Sequence, residues 1–86
     1  MIKIIDDYLD VLDKVISTIP SIEKVLKREL IDTSYGLIKS NNILIDIQYI
    51  DYLICYMLNK KYINYSNFLL LGNKLENIII GLKVRN

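Results

Sequence analysis

Residues 43–59 read ILIDIQYIDYLICYMLN, and the conformation of this apolar stretch decides the fold. Within its first seven residues, Ile43, Ile45, Ile47 and Tyr49 alternate like a β-strand, with polar Asp46 and Gln48 between them. As a helix, the same stretch carries one apolar face and one tyrosine face. Because seventeen residues exceed the usual strand length and no Gly or Pro interrupts them, we predict a helix. It is apolar nearly all round, which predicts the central helix of a bundle, whereas a strand would exclude the bundle.

Two further helices are predicted before this stretch. Apolar residues at three- and four-residue steps indicate a first helix over about residues 3–18. Pro20 ends or kinks it, or begins the next helix, because proline has no N–H to donate. The second helix is expected to continue to about Lys39, with its last turn weakened by Gly36. Its predicted apolar stripe comprises Ile22, Val25, Leu26, Leu30, Thr33, Leu37 and Ile38.

A fourth helix is predicted near the C-terminus. Asn42 is expected to cap the helix at 43–59, and Ser66 is expected to cap the last one. The stripe of this last helix comprises Phe68, Leu71, Leu75, Ile78, Ile79 and Leu82. Four amphipathic stripes joined by short turns predict an all-α protein, an antiparallel four-helix bundle in which residues 1–86 form a single domain.

The composition excludes most catalytic chemistry. The chain has no histidine and one cysteine, so it offers no ordinary general base near neutral pH and no zinc or transition-metal ligand set. Its three glycines form no phosphate-binding loop. We therefore expect a non-enzymatic protein with no cofactor and no metal. Cys55 has no intramolecular partner, which fits a reducing compartment, and its apolar neighbours predict a small core residue.

The charge balance limits the class of partner. A net charge of +1 creates no global field that would recruit nucleic acid, so nucleic acid is not expected as the main partner. The longest run without a charged side chain, residues 62–73, is shorter than the roughly 20 residues that a membrane-spanning helix needs. We expect a cytoplasmic protein that is at most membrane-adjacent.

Asp46 and Asp51 stand out because their helix is otherwise almost wholly apolar. A carboxylate buried there would need a partner, which Lys24, Lys27 or Arg28 could supply. The alternative is that both acids mark the exposed edge of the helix.

Five of the seven tyrosines fall within residues 49–65. Tyrosine is favoured in interfaces because it buries a large area and keeps a polar tip. Beside Lys60 and Lys61, this clustering indicates a binding surface on the hairpin between the third and fourth helices. The alternative is structural: Tyr49, Tyr52 and Tyr56 cover the flank of the bundle, while Tyr62 and Tyr65 are staple residues in a turn.

The order of these parts resembles the small immunity proteins that protect lactic-acid bacteria from their own pediocin-like (class IIa) bacteriocins. The likeness extends from Ser21 to Ile80. Its main segments are Ser21–Leu26, Tyr52–Tyr56, Asn59–Ser66 and Leu75–Ile78. The resemblance implies a cytosolic four-helix bundle whose last helices and C-terminal residues recognise the toxin at its membrane sugar-transporter receptor. It would place Tyr62, Tyr65, Lys83 and Arg85 at the recognising end.

The leading functional hypothesis is a protein-binding module, in the form of a bacteriocin immunity protein that protects the producer cell. Its partner would be a toxin–receptor complex. The expected contact residues are Tyr56, Lys60, Lys61, Tyr62, Tyr65, Lys83 and Arg85. One alternative is a small phage- or virus-encoded modulator that binds and inhibits a host protein. Another is a self-associating structural subunit, with a homodimer formed through the third helix.

Overall fold

Helix α3 spans Ile43–Asn59, so the stretch that decides the fold is helical, as predicted. The computed structural model describes the backbone of residues 2–85 and the side chains of residues 2–83. The other helices are α1 (Ile2–Ile16), α2 (Lys24–Tyr35) and α4 (Tyr65–Arg85), with a short 3₁₀ turn over Gly36–Lys39. Within the described backbone no residue forms a strand.

The four helices pack as an all-α bundle. Helix α1 packs against α4, α3 lies between α2 and α4, and α2 closes the bundle against α1. The molecule extends 40 × 23 × 19 Å. Its core takes residues from every helix and from the connections between them: Ile5, Tyr8, Leu9, Leu12, Val15, Ile19, Leu30, Leu37, Ile47, Ile50, Leu53, Ile54, Met57, Ile63, Leu71, Leu75 and Ile78.

The prediction that α3 is the central helix is wrong. Its buried residues form one stripe, which faces α2 and α4: Ile47, Ile50, Leu53, Ile54 and Met57. The other sides of the helix are open, and Leu44, Ile45 and Tyr52 are exposed there. Cys55 is also exposed rather than in the core. The reason is the helical period: Ile54 and Met57 take the inward positions, and Cys55 lies about 100° round from Ile54.

Helix α2 begins later than its apolar stripe predicts. The N–H of Glu23 donates to the carbonyl of Pro20 at 3.0 Å, so Pro20 opens a turn and the helix starts at Lys24. Ile22 therefore precedes the helix and is 84% exposed, and Val25, in the first turn of the helix, is 79% exposed, although the stripe predicted both to be inward. The weakening predicted at Gly36 is confirmed, since the chain changes there to the 3₁₀ turn.

The two helix caps differ in outcome. Asn42 is confirmed as the cap of α3, because its side chain accepts a hydrogen bond from the N–H of Ile45 at 3.2 Å. The cap of α4 is Asn64 rather than Ser66, because Asn64 Oδ1 accepts from the N–H of Asn67 at 2.7 Å. This places the first turn of α4 about two residues earlier than predicted.

Asp46 and Asp51 have different surroundings. Asp46 is half-buried and accepts a hydrogen bond from the hydroxyl of Ser40, in place of the cationic partner from α2 that was considered. Asp51 is exposed, so the exposed-edge interpretation is confirmed for it.

Candidate functional site

The connection between α3 and α4 is a Schellman motif with a lysine at its left-handed position. The N–H of Tyr62 donates to the carbonyl of Met57 at 2.9 Å, and the N–H of Lys61 donates to the carbonyl of Leu58 at 3.0 Å. Lys61 has φ 63°. Glycine normally occupies this position because any Cβ is disfavoured there. The turn therefore holds an exposed cation at a backbone position that is unfavourable for lysine.

Lys60 and Tyr56 form a pair at the end of α3. The Lys60 Nζ atom lies over the Tyr56 ring, 5.7 Å from its centroid. A cation at this distance is attracted by the negative face of the ring. The pair places a positive charge beside an exposed aromatic side chain, as the sequence indicated.

Tyr62 and Ile63 fasten the connection to the bundle. The hydroxyl of Tyr62 donates to Glu23 Oε1 at 3.1 Å, across 39 residues of sequence. This bond to a carboxylate raises the pKa of Tyr62. Ile63 is buried in the core. The bond to Glu23 supports the structural interpretation of Tyr62, whose side chain is only partly accessible.

Tyr65 is the most accessible aromatic residue of this connection, with 63% of its surface exposed. Its ring stacks on that of Phe68, with centroids 6.1 Å apart. Beside it lies an open groove of about 450 Å³, lined by Thr18, Leu58, Lys61, Tyr62, Ile63, Asn64, Tyr65 and Asn67. We call Lys61, Tyr62, Tyr65 and this groove the hairpin tip.

The structure does not bring all of the predicted contact residues together. Lys61, Tyr62 and Tyr65 lie at the hairpin tip, and Tyr56 and Lys60 adjoin it. Lys83 lies eighteen residues along α4 from Tyr65, or about 27 Å at 1.5 Å per residue. The side chain of Arg85 lies outside the described residues. The predicted contact residues whose side chains are described therefore lie in two separate places, around the hairpin tip and near the C-terminal end of α4.

A second exposed surface lies along α2 and α3. Ile45, Tyr49, Tyr52 and Tyr56 recur at steps of four, three and four residues, so they form one stripe on α3. Val25 of α2 lines the same open groove as the three tyrosines. We call these five residues the tyrosine face. The sequence grouped its tyrosines correctly but missed Val25, because the periodicity of α2 predicted that this residue was buried.

Two glutamates border the tyrosine face. The hydroxyl of Tyr49 donates to Glu29 Oε1 at 3.0 Å, and this bond raises the pKa of Tyr49. Glu23, which holds Tyr62, lines the other end of the groove. The face thus has an apolar and aromatic centre with charged side chains at its ends.

Neither a metal site nor a membrane span is found in the described part of the chain. Among residues 2–83, no three Cys, Asp or Glu side chains are placed to share a metal ion. No helix within residues 2–85 has the length and hydrophobicity required to cross a bilayer. Comparison of the chain with protein-family models, with curated proteins and with solved structures found no match.

Proposed function

We propose that this chain is a non-enzymatic protein-binding module that contacts its partner through the hairpin tip. The observation that carries the proposal is the left-handed conformation of Lys61. A non-glycine residue in this region costs on the order of 1–2 kcal/mol, and such costs are found most often at functional positions. The turn thus holds a cation at the apex of the hairpin at the expense of stability.

The chemistry of the hairpin tip indicates what it would bind. Lys61 and the neighbouring Lys60 supply positive charge, and Tyr65 supplies an exposed aromatic surface. A protein segment that combines a carboxylate with an apolar side chain complements these groups. Tyr62 is fixed by Glu23, so the surface is ordered before its partner arrives, which lowers the entropy cost of binding.

The specific form of the proposal is bacteriocin immunity, with a toxin–receptor complex as the partner. It is supported by the helical bundle and by the position of Tyr62 and Tyr65 in the hairpin that carries the resemblance. The lack of histidine supports a role by binding rather than by catalysis.

A protection assay tests this proposal. Sensitive cells that express the chain are challenged with a panel of pediocin-like bacteriocins, and selective resistance to one toxin is the expected result. Lys61→Gly relieves the backbone strain, so it should raise the melting temperature and yet reduce protection at least about tenfold in toxin concentration. Tyr65→Ala should reduce protection with little change in stability, since Tyr65 is largely exposed.

Lys39→Ala is the matched control, because it removes an exposed lysine that is not among the expected contact residues. Full protection by this variant is expected. Uniform sensitivity to every toxin, with the protein present and folded in the cells, would reject immunity. Full protection by Lys61→Gly and Tyr65→Ala would reject the hairpin tip as the contact surface.

A further inference from the structure

The tyrosine face is larger than isolated exposed residues would produce. Val25 is 79% exposed and Tyr52 65% exposed, and both lie on the same side of the α2–α3 pair. With Ile45, Tyr49 and Tyr56, the exposed side chains amount to roughly 600 Å² per molecule, at the upper end of the largest patch on a typical monomer. Exposed patches of this size are often functional.

The arrangement of the face suits a two-fold axis. Tyr49 and Tyr56 lie three and four residues from Tyr52, or about 5–6 Å to either side of it along α3. A two-fold axis that passes near Tyr52, perpendicular to the helix, places Tyr49 of one copy against Tyr56 of the other. Such an interface is isologous, since the same patch is used twice.

One pair of opposite charges at the ends of the face fits the same axis. Lys60 lies over Tyr56 at one end, and Glu29 is bonded to Tyr49 at the other. The two-fold rotation carries Lys60 of one copy toward Glu29 of its partner, and the reverse. Lys24 and Arg28 lie on the adjoining surface of α2, beside Val25 and Glu29. The rotation also brings Glu23, which lies at the same end of the groove as Lys60, toward Glu29 of the partner, and the positive charge of Lys60 reduces the repulsion between these two carboxylates.

The area of the face reaches the lower end of the range for specific interfaces. Complete covering of the five residues in two copies would bury at most about 1,200 Å², and specific interfaces bury about 1,200–2,000 Å² in total. The polar rim, which includes Glu23, Glu29 and Lys60, adds to this area. Tyrosine at the centre with charge at the rim is the usual composition of an interface.

We propose that a second copy of this chain covers the tyrosine face and that the protein is a homodimer with its two-fold axis near Tyr52. The dimer interface runs along α2 and α3 and leaves Lys61 and Tyr65 of the hairpin tip free in both copies. The proposal therefore stands apart from the function assigned to the tip.

Sedimentation equilibrium of the full chain tests the dimer between about 1 and 200 µM. The expected mass rises toward twice the 10.1 kDa of one chain within this range. Tyr52→Glu should remain monomeric throughout, because it places a charge on the axis. Tyr65→Glu is the matched control, since Tyr65 is equally exposed but lies on α4, and it should dimerise like the original chain. Circular dichroism checks that both variants are folded.

Charge exchange tests the register of the two copies. Glu29→Lys and Lys60→Glu should each weaken dimerisation about fivefold or more, and the double variant should return to within about twofold of the original dissociation constant.

An original chain that stays monomeric up to about 200 µM would overturn the proposal, as would dimerisation unaffected by Tyr52→Glu. A double variant weaker than both single variants would overturn the two-fold axis near Tyr52. Loss of protection by Tyr65→Ala, in contrast, concerns only the hairpin tip.

Discussion

Tyr8 and Ser34 form a buried polar contact between α1 and α2. The Tyr8 hydroxyl lies 2.7 Å from Ser34 Oγ, and both residues are fully buried. Burial raises the pKa of Tyr8 above its ordinary value of 10.0, because the phenolate would be poorly solvated. The unfolded chain releases this proton near pH 10 and the folded chain holds it. The free energy of unfolding is therefore unaffected below pH 10 and falls as the pH rises above 10.

Tyr8→Phe tests this contact. The substitution removes the partner of the buried Ser34 hydroxyl, so we expect a loss of about 1–2 kcal/mol in the free energy of unfolding at pH 7. It should also flatten the decline in stability between pH 10 and 11. Urea unfolding at both pH values measures the two effects. Tyr35→Phe is the comparison: the bond to Asp13 also raises the pKa of Tyr35, but this contact lies at the exposed surface, so the substitution should flatten the decline less than Tyr8→Phe does. An identical decline for Tyr8→Phe would contradict the argument.

Asp51 lies where α3 faces Glu76 of α4. Partial desolvation raises the pKa of Asp51 above its ordinary 3.8, and repulsion by the carboxylate of Glu76 raises it further by a smaller amount. The ionised carboxylate therefore destabilises the fold at neutral pH, and this effect disappears as the pH falls below about 4. We expect Asp51→Asn to stabilise the protein at pH 7 by less than about 1 kcal/mol, because the site is exposed and screened. Thermal melts at pH 7 and pH 3 should show the gain only at pH 7.

Some residue environments followed from the sequence and others did not. Asn42 was predictable as a cap because capping depends on neighbours three residues away. The contact between Tyr8 and Ser34 joins residues 26 apart, so no local pattern indicates it. Cys55 was misassigned because its neighbours in sequence are apolar, whereas its position on the helix is outward.

At the scale of elements, the start of α4 depends on one asparagine. Asn64 Oδ1 accepts from the N–H of Asn67, and the Asn64 carbonyl accepts from Phe68. Asn64→Ala should lower the free energy of unfolding by about 1 kcal/mol. Ser66→Ala should change it by less than about 0.5 kcal/mol, since Ser66 is exposed within the helix. Urea unfolding of the two variants compares them directly, and a larger loss for Ser66→Ala would assign the cap to Ser66.

The ends of a helix were predictable where a local sequence signal, such as a capping residue, coincides with the end of the apolar spacing. Helix α3 has its predicted bounds because Asn42 caps it and its seventeen residues are too many for a strand. Helix α2 was predicted too long because apolar residues keep the helical spacing from Ile22, which precedes the helix, to Ile38, which lies in the 3₁₀ turn. Both residues are exposed, as is Val25 inside the helix. Spacing shows that residues share a face, but it does not show that another helix covers that face.

At the scale of the whole molecule, the order of packing decides which surfaces remain open. Four stripes and short connections were sufficient to predict the bundle. They were not sufficient to predict that α3 packs on α2 and α4 while its tyrosines face outward. The length of α4 separates Lys83 from the hairpin tip by about 27 Å, so residues that the resemblance groups together lie apart.

Homodimerisation would make the stability of the whole molecule depend on its concentration. Mass action favours the associated folded state, so a hundredfold increase in concentration adds about 1.4 kcal/mol per chain. For a domain of this size, 1 kcal/mol corresponds to roughly 4–8 °C in melting temperature.

We therefore expect the melting temperature to rise by several degrees between about 5 and 500 µM for the original chain and for Tyr65→Glu. It should stay constant for Tyr52→Glu, because a folded monomer unfolds independently of its concentration. Calorimetry of the three proteins measures these slopes, and an equal slope for Tyr52→Glu would place the association on a surface other than the tyrosine face.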